Sequence, residues 1–226
     1  MSSIGIVIQA RMGSARLPGK VLMDFCGKPL LKFQIDLLRS FSLGMEIVVA
    51  TSINPLDDAI AEFCESEHIP YVRGSETNVF SRYQVAVKKF GFSSLLRLTA
   101  DNPLTNFQIL DSCVKTHLQT NPDLTSTRRI LSDRTVKRFA PKGSSIDIIK
   151  GQTLLKIAAE NLDDFEKEHV IPVFYTNLYR VSVVKDFRHL KATYSIDTIN
   201  DYKKVSAFAS EAIKCGKLMQ VIGYHQ

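Results

Sequence analysis

The chain has 226 residues and a formal net charge of +6, with 29 lysines and arginines against 23 aspartates and glutamates. Hydrophobic residues make up 45% and charged residues 23%, a balance typical of globular domains, which excludes disordered and fibrous classes. No apolar run approaches the ~20 residues of a membrane-spanning helix, and the N-terminus lacks the features of a secretory signal. We therefore expect a cytoplasmic protein with one large domain, residues 1–226.

The net charge and the cysteine content limit which partners and which cysteine chemistry this chain can have. The four cysteines, Cys26, Cys64, Cys113 and Cys215, lack paired spacing, which predicts free thiols rather than a zinc cluster or a disulfide framework. The positive charge suits a nucleic acid, a phosphorylated metabolite or an acidic sugar. Because the lysines and arginines are spread along the chain, charge alone does not choose among these three.

Short apolar runs alternate with helical patterns through the first half of the chain. The run at 4–10 predicts a strand buried on both faces, because its apolar residues follow one another without polar alternation. Further strands are predicted at 46–51, 69–73 and 94–99, and helices at 30–41, 57–67, 78–90 and 106–118. This repetition predicts right-handed crossovers and an α/β fold with a mostly parallel, doubly wound sheet.

The pattern loosens in the second half. Residues 123–150 combine short β-prone runs with several arginines and lysines, which predicts a small β-rich, hairpin-like insertion. Helices at 152–161 and 165–175, a strand at 179–184 and a helix at 200–214 are predicted to follow.

The stretch QARMGSARLPGK directly follows the first predicted strand and holds three cations, Arg11, Arg16 and Lys20. Doubly wound sheets bind ligands beyond the carboxyl ends of their strands, and this stretch lies at such an end. Backbone N–H groups at Gly13 and Ser14 could approach an anion closely while the cations neutralise it. Walker and Gly-x-Gly-x-x-Gly patterns are both missing. The stretch therefore favours a polyphosphate-binding loop, with a solvated surface loop as the alternative.

The stretch QARMGSARLPGKVL resembles the start of the nucleotidyltransferases that make CMP-activated acidic sugars. These are the ketodeoxyoctulosonate and acylneuraminate cytidylyltransferases, and the similarity is greatest to their SpsF-like relatives in spore-coat polysaccharide synthesis. Matching stretches follow in the family's order: RGSETNVFSRY, RLTADNPL, EKEHVIPVFY and YSIDTINDYKKV. The resemblance covers about residues 4–205. It implies a Rossmann-like, nucleotide-diphospho-sugar transferase fold, and transfer of CMP from CTP to an ulosonic-type acidic sugar with release of pyrophosphate.

The resemblance also implies a site for Mg²⁺ on Asp101 and Asp197. Asp101 directly follows the predicted strand at 94–99, and carboxylates are ligands that Mg²⁺ prefers. Each aspartate could instead cap a neighbouring helix or turn. The expected catalytic residues are Asp101 and three cations, Arg11, Arg16 and Lys20. The cations would neutralise the charge of the departing pyrophosphate. The expected nucleotide-binding residues are Ala10, Arg11, Gly13, Ser14, Arg16, Lys20, Arg73 and Thr99.

One stretch departs from the family's pattern. Where relatives carry Gly-Leu-Asp-Val-Glu, residues 145–149 read SIDII, which keeps Asp147 and replaces the following acid by Ile149. Asp147 is expected to contact the sugar substrate, and the loss of the acid could alter the substrate, metal binding or activity. His169 matches a family histidine, but its apolar neighbours favour a packed structural role. Relatives further imply a homodimer, formed through the insertion at 123–150.

Two other functions remain open. A glycosyltransferase of similar fold would normally carry an Asp-x-Asp metal motif, which Asp101-Asn102-Pro103 is not. A non-catalytic nucleotide- or nucleic-acid-binding module would use the cations from Arg128 to Arg138, and that stretch holds no aromatic residue for base stacking. We therefore expect CTP and an acidic sugar as partners, and neither a nucleic acid nor a membrane.

Overall fold

Eleven strands and eight α-helices make up the computed structural model, which describes residues 3–41, 44–185, 187, 190 and 193–224. The strands are β1 (Ile4–Gln9), β2 (Asp24–Phe25), β3 (Lys28–Pro29), β4 (Ile47–Ser52), β5 (Tyr71–Gly74), β6 (Ser94–Thr99), β7 (Leu124–Ser126), β8 (Arg128–Ile130), β9 (Val136–Arg138), β10 (Asp147–Lys150) and β11 (Val181–Val183). The helices are α1 (Leu30–Ser40), α2 (Asp58–Ser66), α3 (Val79–Phe90), α4 (Phe107–Thr120), α5 (Gly151–Lys156), α6 (Asp164–His169), α7 (Ile199–Lys214) and α8 (Leu218–Val221). Within the described ranges, no helix is both long and apolar enough to cross a bilayer.

A seven-stranded sheet forms the centre of the molecule, in the order β11-β7-β10-β6-β1-β4-β5. Neighbouring strands pair in parallel, except that β10 runs antiparallel to both β6 and β7. In β1, Gln9 lies beside Thr99 of β6 and Ala50 of β4. The predicted α/β class with a mostly parallel sheet is thus confirmed, and the carboxyl ends of β1, β4 and β6 meet at one edge.

Both faces of the sheet are covered. On one face, Ile6 and Ile8 of β1 pack into a cluster with residues of α1 and α7. On the other face, Val7 packs into a cluster with residues of α3 and α5. The side chains of Ile6, Val7 and Ile8 are at most 1% exposed, and burying one such side chain contributes about 1.5–3 kcal/mol. The uninterrupted apolar run is therefore explained by burial on both sides.

Two helices are shorter than the sequence pattern predicts. α5 ends at Lys156, and the side-chain amide of Gln84 donates hydrogen bonds to the carbonyl oxygens of Leu154 and Ile157, which a continuing helix would use itself. α6 starts with a capping box and ends at His169, because the next residue, Val170, has a positive φ of 69°. Single 3₁₀ turns, Ala159–Asn161 and Pro172–Phe174, take the place of the predicted continuations.

The segment at 123–150 divides between two sheets. β7 and β10 are internal strands of the central sheet, whereas β8 and β9 form a separate two-stranded sheet among the strands that the structure describes. The predicted hairpin is therefore the β8–β9 pair, and its flanks complete the main sheet. The predicted strand at 179–184 is β11, which extends the same sheet beyond β7.

His117 on α4 is a buried titratable group that joins the helix to the sheet. Its imidazole nitrogens lie 2.9 Å from the hydroxyl oxygens of Ser94 on β6 and Thr125 on β7. Burial, assisted by the charge of Lys150, lowers the pKa of His117 from 6.5 to about 4. The neutral ring is therefore the form that the folded state accommodates.

This burial predicts a pH dependence of stability. Because the folded pKa lies below the unfolded value of 6.5, the contribution of His117 is complete above pH 6.5 and is lost as the pH falls to about 4. Over that range the unfolding free energy should fall by about 3 kcal/mol more in the wild type than in His117→Gln, measured by urea unfolding. His68→Gln, which removes an exposed histidine, is the control. Parallel curves for wild type and His117→Gln would contradict the assignment.

Candidate active site

The carboxyl ends of β1 and β6 open into a cleft of about 250 Å³, called here the first cleft. Two more segments complete its walls: the loop after β1 and the residues just before α7. Seven of the residues predicted from sequence line it: Arg11, Ser14, Arg16, Lys20, Thr99, Asp101 and Asp197.

The loop after β1 is held in a tight bend. The carbonyl oxygen of Met12 accepts hydrogen bonds from the backbone N–H groups of Ser14, at 2.8 Å, and Gly19, at 2.9 Å. The Met12 N–H donates to the buried carboxylate of Asp57 at 2.7 Å, which ties the bend to the segment after β4. Gly19 has a φ of 71°, a conformation that favours glycine, and starts the 3₁₀ turn at Lys20–Leu22. That turn directs Lys20 inward.

Lys20 connects the two predicted metal-binding aspartates. Its side chain is only 9% exposed, and its Nζ donates to the carbonyl oxygen of Ile196 at 2.5 Å and to Asp101 Oδ2 at 3.3 Å. Asp197 Oδ1 lies 4.0 Å from the same nitrogen. The Thr99 hydroxyl donates to Asp101 Oδ1 at 2.6 Å and so fixes that carboxylate at the end of β6. Residues distant in sequence therefore converge, as the resemblance implied.

Asp197 is the most heavily paired carboxylate of the first cleft. It accepts hydrogen bonds from Arg16 at 2.8 Å and from Lys142 at 2.7 Å. Burial by itself would raise its pKa, but Lys142, Arg16 and Lys20 together lower the pKa below its usual value. Asp197 is therefore ionised at neutral pH. Asp197 is the one ion-pair partner of Arg16 within the described residues, and the Arg16 side chain remains 64% exposed.

A second cleft, of about 370 Å³, adjoins the first. The two clefts share Arg16, Thr99, Asp101 and Asp197 in their walls. Further cationic or titratable side chains line the second cleft: Arg97, Arg128, Arg138, Lys142 and His169. A ligand that reaches from one cleft into the other would thus pass Asp101, with positive charge on both sides.

Asp147 lies beneath the second cleft rather than in its wall. It is 1% exposed, and its carboxylate accepts hydrogen bonds from Ser126, Arg97 and Arg128. Burial would raise its pKa, yet Arg128 and Arg97 lower it. The predicted direct contact with a substrate is therefore corrected: this carboxylate holds two arginines of the cleft. Ile149, the departure from the family pattern, is fully buried in the apolar cluster against α3.

Three predicted nucleotide-binding residues do not line the first cleft. Ala10 is 2% exposed and is bonded through its backbone to β4. Gly13 lies at the exposed tip of the bend. Arg73 pairs with Asp58 at 2.6 Å and donates to the Ser52 carbonyl oxygen at 2.9 Å, so it braces the loop after β4 instead.

Arg82, in the stretch RGSETNVFSRY, is a buried cation. It is 1% exposed, and its three guanidinium nitrogens have no hydrogen-bond partner among the residues that the structure describes. Burial lowers the pKa of the guanidinium below its ordinary value.

Sequence reasoning overlooked Gln9 and misjudged His169. Gln9 lines the first cleft at the end of β1. The sequence pattern that could have indicated this is a polar residue at the end of an apolar run.

The His169 ring contacts Phe165 edge-on but faces the second cleft, which corrects the packed role expected for it. Partial burial, together with Arg97 and Arg128, lowers the pKa of His169. The next residue, Val170, has a strained φ of 69° and closes a turn in which the Ile171 N–H donates to the His169 carbonyl oxygen.

The pairing of Asp147 predicts a structural penalty for its neutralisation. Asp147→Asn leaves the positive charges of Arg97 and Arg128 without their buried counter-charge, and we expect a loss of about 3–5 kcal/mol in unfolding free energy by urea titration. Asp133→Asn is the control, because this exposed carboxylate accepts hydrogen bonds from Thr135 that an asparagine oxygen can also accept. Wild-type stability in Asp147→Asn would refute the anchoring role.

Comparison with known proteins agrees with this geometry. The family model described as Cytidylyltransferase matches residues 5–219. Spore coat polysaccharide biosynthesis protein SpsF of Bacillus subtilis is 31% identical over 222 residues, which cover 94% of this chain and 88% of SpsF. An uncharacterised protein of Methanocaldococcus jannaschii is 34% identical over 208 residues, covering 90% and 81% of the two chains. A 3-deoxy-manno-octulosonate cytidylyltransferase of Francisella philomiragia is 22% identical over 98% of this chain and 86% of its own length.

Solved structures share the fold over nearly the whole chain. A cytidylyltransferase of Leptospira borgpetersenii superposes with a TM-score of 0.81 at 28% identity, covering 100% of this chain and 98% of its own. A CMP:2-keto-3-deoxy-manno-octonic acid synthetase complexed with CTP superposes with a TM-score of 0.64 at 17% identity, covering 93% and 99%. The Rossmann-like nucleotidyltransferase fold predicted from sequence is therefore confirmed. With a family match that spans almost the full length and clefts built from the matching residues, this chain belongs to the cytidylyltransferase family and is a CTP-dependent nucleotidyltransferase.

Proposed function

We propose that the protein transfers CMP from CTP to an acidic sugar of the ulosonic type, with release of pyrophosphate, for the synthesis of a surface polysaccharide. One observation carries the proposal: the first cleft, lined by Arg11, Lys20 and Asp101, opens at Asp101 into a second, cation-lined cleft. CTP would occupy the first cleft and the sugar the second. Their shared wall is where a bond between them would form.

The side chains of the first cleft suit phosphoryl transfer without a protein nucleophile. The sugar hydroxyl attacks the α-phosphorus of CTP as pyrophosphate leaves from the opposite side, a reaction that depends on positioning and charge neutralisation. Arg11 is exposed and can turn toward the β- and γ-phosphates, and the exposed Arg16 can do so by leaving Asp197. Each guanidinium can then bind phosphate through paired N–H groups. Lys20 supplies a fixed point charge, because Asp101 and the Ile196 carbonyl oxygen hold its ammonium in place.

The carboxylates of the first cleft fit Mg²⁺, which we propose as the cofactor. Asp101 and Asp197 lie 3.3 Å and 4.0 Å from the Lys20 ammonium, and both line the first cleft. Mg²⁺ is typically held by one or two carboxylates with phosphate oxygens and waters, so two aspartates are a sufficient protein contribution. No group of three or more His, Cys, Asp or Glu side chains gathers among the described residues. Bound there, the metal would neutralise charge on the phosphates.

The charge of the second cleft supports an acidic acceptor. Arg138 on β9 lies directly opposite Arg128 on β8, an arrangement that is unfavourable for like charges. Arg128 is neutralised by Asp147, whereas Arg138 has no ion-pair partner in the described part of the chain. A sugar carboxylate in the second cleft would relieve this excess charge. The cations of the hairpin therefore fit an acidic sugar better than a nucleic-acid surface.

We also propose that the protein forms a homodimer through the β8–β9 hairpin, as the family resemblance implied. The hairpin lies outside the central sheet and exposes Leu131, which is 42% accessible. Light scattering coupled to size-exclusion chromatography should give twice the 25.4 kDa of one chain. A mass of one chain at micromolar concentration would contradict this assignment.

The function is tested by pyrophosphate release with a panel of nucleotides and sugars. We expect release with CTP, Mg²⁺ and an acidic sugar, and none with UTP, ATP, a neutral sugar or added chelator. Asp101→Asn should lower kcat/KM at least a hundredfold, about 2.7 kcal/mol in barrier height. Asp111→Asn, at a helix-surface carboxylate paired with Lys115, is the matched control and should remain active.

Each component of the proposal can fail separately. An unimpaired Asp101→Asn enzyme would remove the metal assignment. Release of pyrophosphate without any acceptor sugar would indicate a hydrolase. Equal rates with neutral and acidic sugars would refute the role given to the cations of the second cleft.

A further inference from the structure

Gln9 ends β1 at the boundary between the two clefts, and its side chain is held by two donors. The Tyr83 hydroxyl donates to Gln9 Oε1 at 3.2 Å, and Arg97 NH2 donates to the same oxygen at 3.4 Å. Gln9 is half-buried and lines the first cleft, whereas Tyr83 is completely buried behind it. The carboxamide is thus fixed from the protein side.

These donors determine which end of the carboxamide faces the first cleft. A guanidinium has N–H donors and no acceptor, so the group that faces Arg97 must be the carboxamide oxygen and not its NH₂. Nε2 is consequently directed away from Arg97. It donates to no acceptor among the described residues. It is also not one of the buried, unpaired polar atoms, so it is accessible from the cleft side. An oriented amide donor is therefore available to a ligand in the first cleft.

The position of Gln9 identifies the part of the ligand that this donor would meet. Gln9 pairs in register with Thr99, which lines both clefts, and is bonded to Arg97, which lines the second. Under the proposed function, the phosphorus that links the nucleotide to the sugar must lie at this boundary. The α-phosphate is the portion of CTP common to the bond that breaks and the bond that forms.

We propose that Gln9 Nε2 donates a hydrogen bond to a non-bridging oxygen of the α-phosphate, and that Arg97 and Tyr83 orient it for this contact. The proposal rests on the proposed function. Gln9 forms no covalent bond and exchanges no proton: it contributes a neutral donor where negative charge increases during transfer. Asp147 supports the contact indirectly, because it anchors the Arg97 guanidinium from the other side.

Substitution by glutamate separates this contact from a merely structural role. In Gln9→Glu the carboxylate still accepts hydrogen bonds from Arg97 and Tyr83, so the apoprotein should unfold at or above the wild-type temperature. The variant has no Nε2 donor, and its charge repels phosphate. We expect CTP–Mg²⁺ to bind at least tenfold more weakly by calorimetry, and kcat/KM to fall by more than the loss in binding. If Gln9 served only to hold Arg97, the loss in Gln9→Glu would come from charge repulsion of CTP alone, and kcat/KM would fall no further than CTP binding does.

Two further variants control for charge. Gln9→Met keeps the approximate shape without the donor or a charge, and its kcat/KM should also fall at least tenfold. Gln152→Glu makes the same amide-to-acid change at an exposed position on α5, and it should match the wild type. Full activity in Gln9→Met would show that Gln9→Glu acts through repulsion alone and would overturn the proposed contact.

The result also separates this proposal from the function on which it rests. Wild-type protein that neither binds CTP nor releases pyrophosphate would overturn both. Wild-type activity together with undiminished CTP binding and turnover in Gln9→Met would overturn the role of Gln9 alone and leave the transferase proposal in place.

Discussion

The buried ammonium of Lys20 is the interaction on which the candidate active site depends. A charged group removed from water is costly unless it is paired and hydrogen-bonded, and Lys20 is only 7% exposed. Its partners, Asp101 and the Ile196 carbonyl oxygen, are 81 and 176 residues away in sequence. Satisfying this one charge therefore brings the loop after β1, the end of β6 and the segment before α7 to the same place. The first cleft is the space that these three segments enclose.

A second charged centre organises the neighbouring cleft in the same way. Asp147 is 1% exposed and holds both Arg97 and Arg128, while Arg97 in turn bonds to Gln9. The hydrogen-bonded chain from Asp147 to Gln9 thus runs from below the second cleft to the wall of the first. Side chains fixed in this manner need little rearrangement when a ligand binds, which is the main protein contribution to a reaction driven by positioning and charge.

Much of the fold followed from local pattern. Strands buried on both faces are continuous apolar runs, and helices repeat apolar residues every three to four positions, so the βα alternation through α4 was predictable. The errors lie where tertiary contacts override that pattern. α5 stops early because Gln84 on another helix takes carbonyl oxygens near its end, and α6 stops at a strained Val170. Neither the Gln84 hydrogen bonds nor the backbone conformation of Val170 can be predicted from the residue pattern of the helix that ends there.

The sequence by itself determined the class of protein, the β1 loop with its three cations, and the carboxylate at the end of β6, because these depend on residue types at short spacing. Tertiary structure alone decided which polar groups reach the clefts. Arg73 turns to Asp58, and Asp147 is sealed beneath two arginines, whereas Gln9 lines the first cleft. The physical reason is that burial and hydrogen-bond partners are set by residues far away in the chain, and the type of a residue does not specify them.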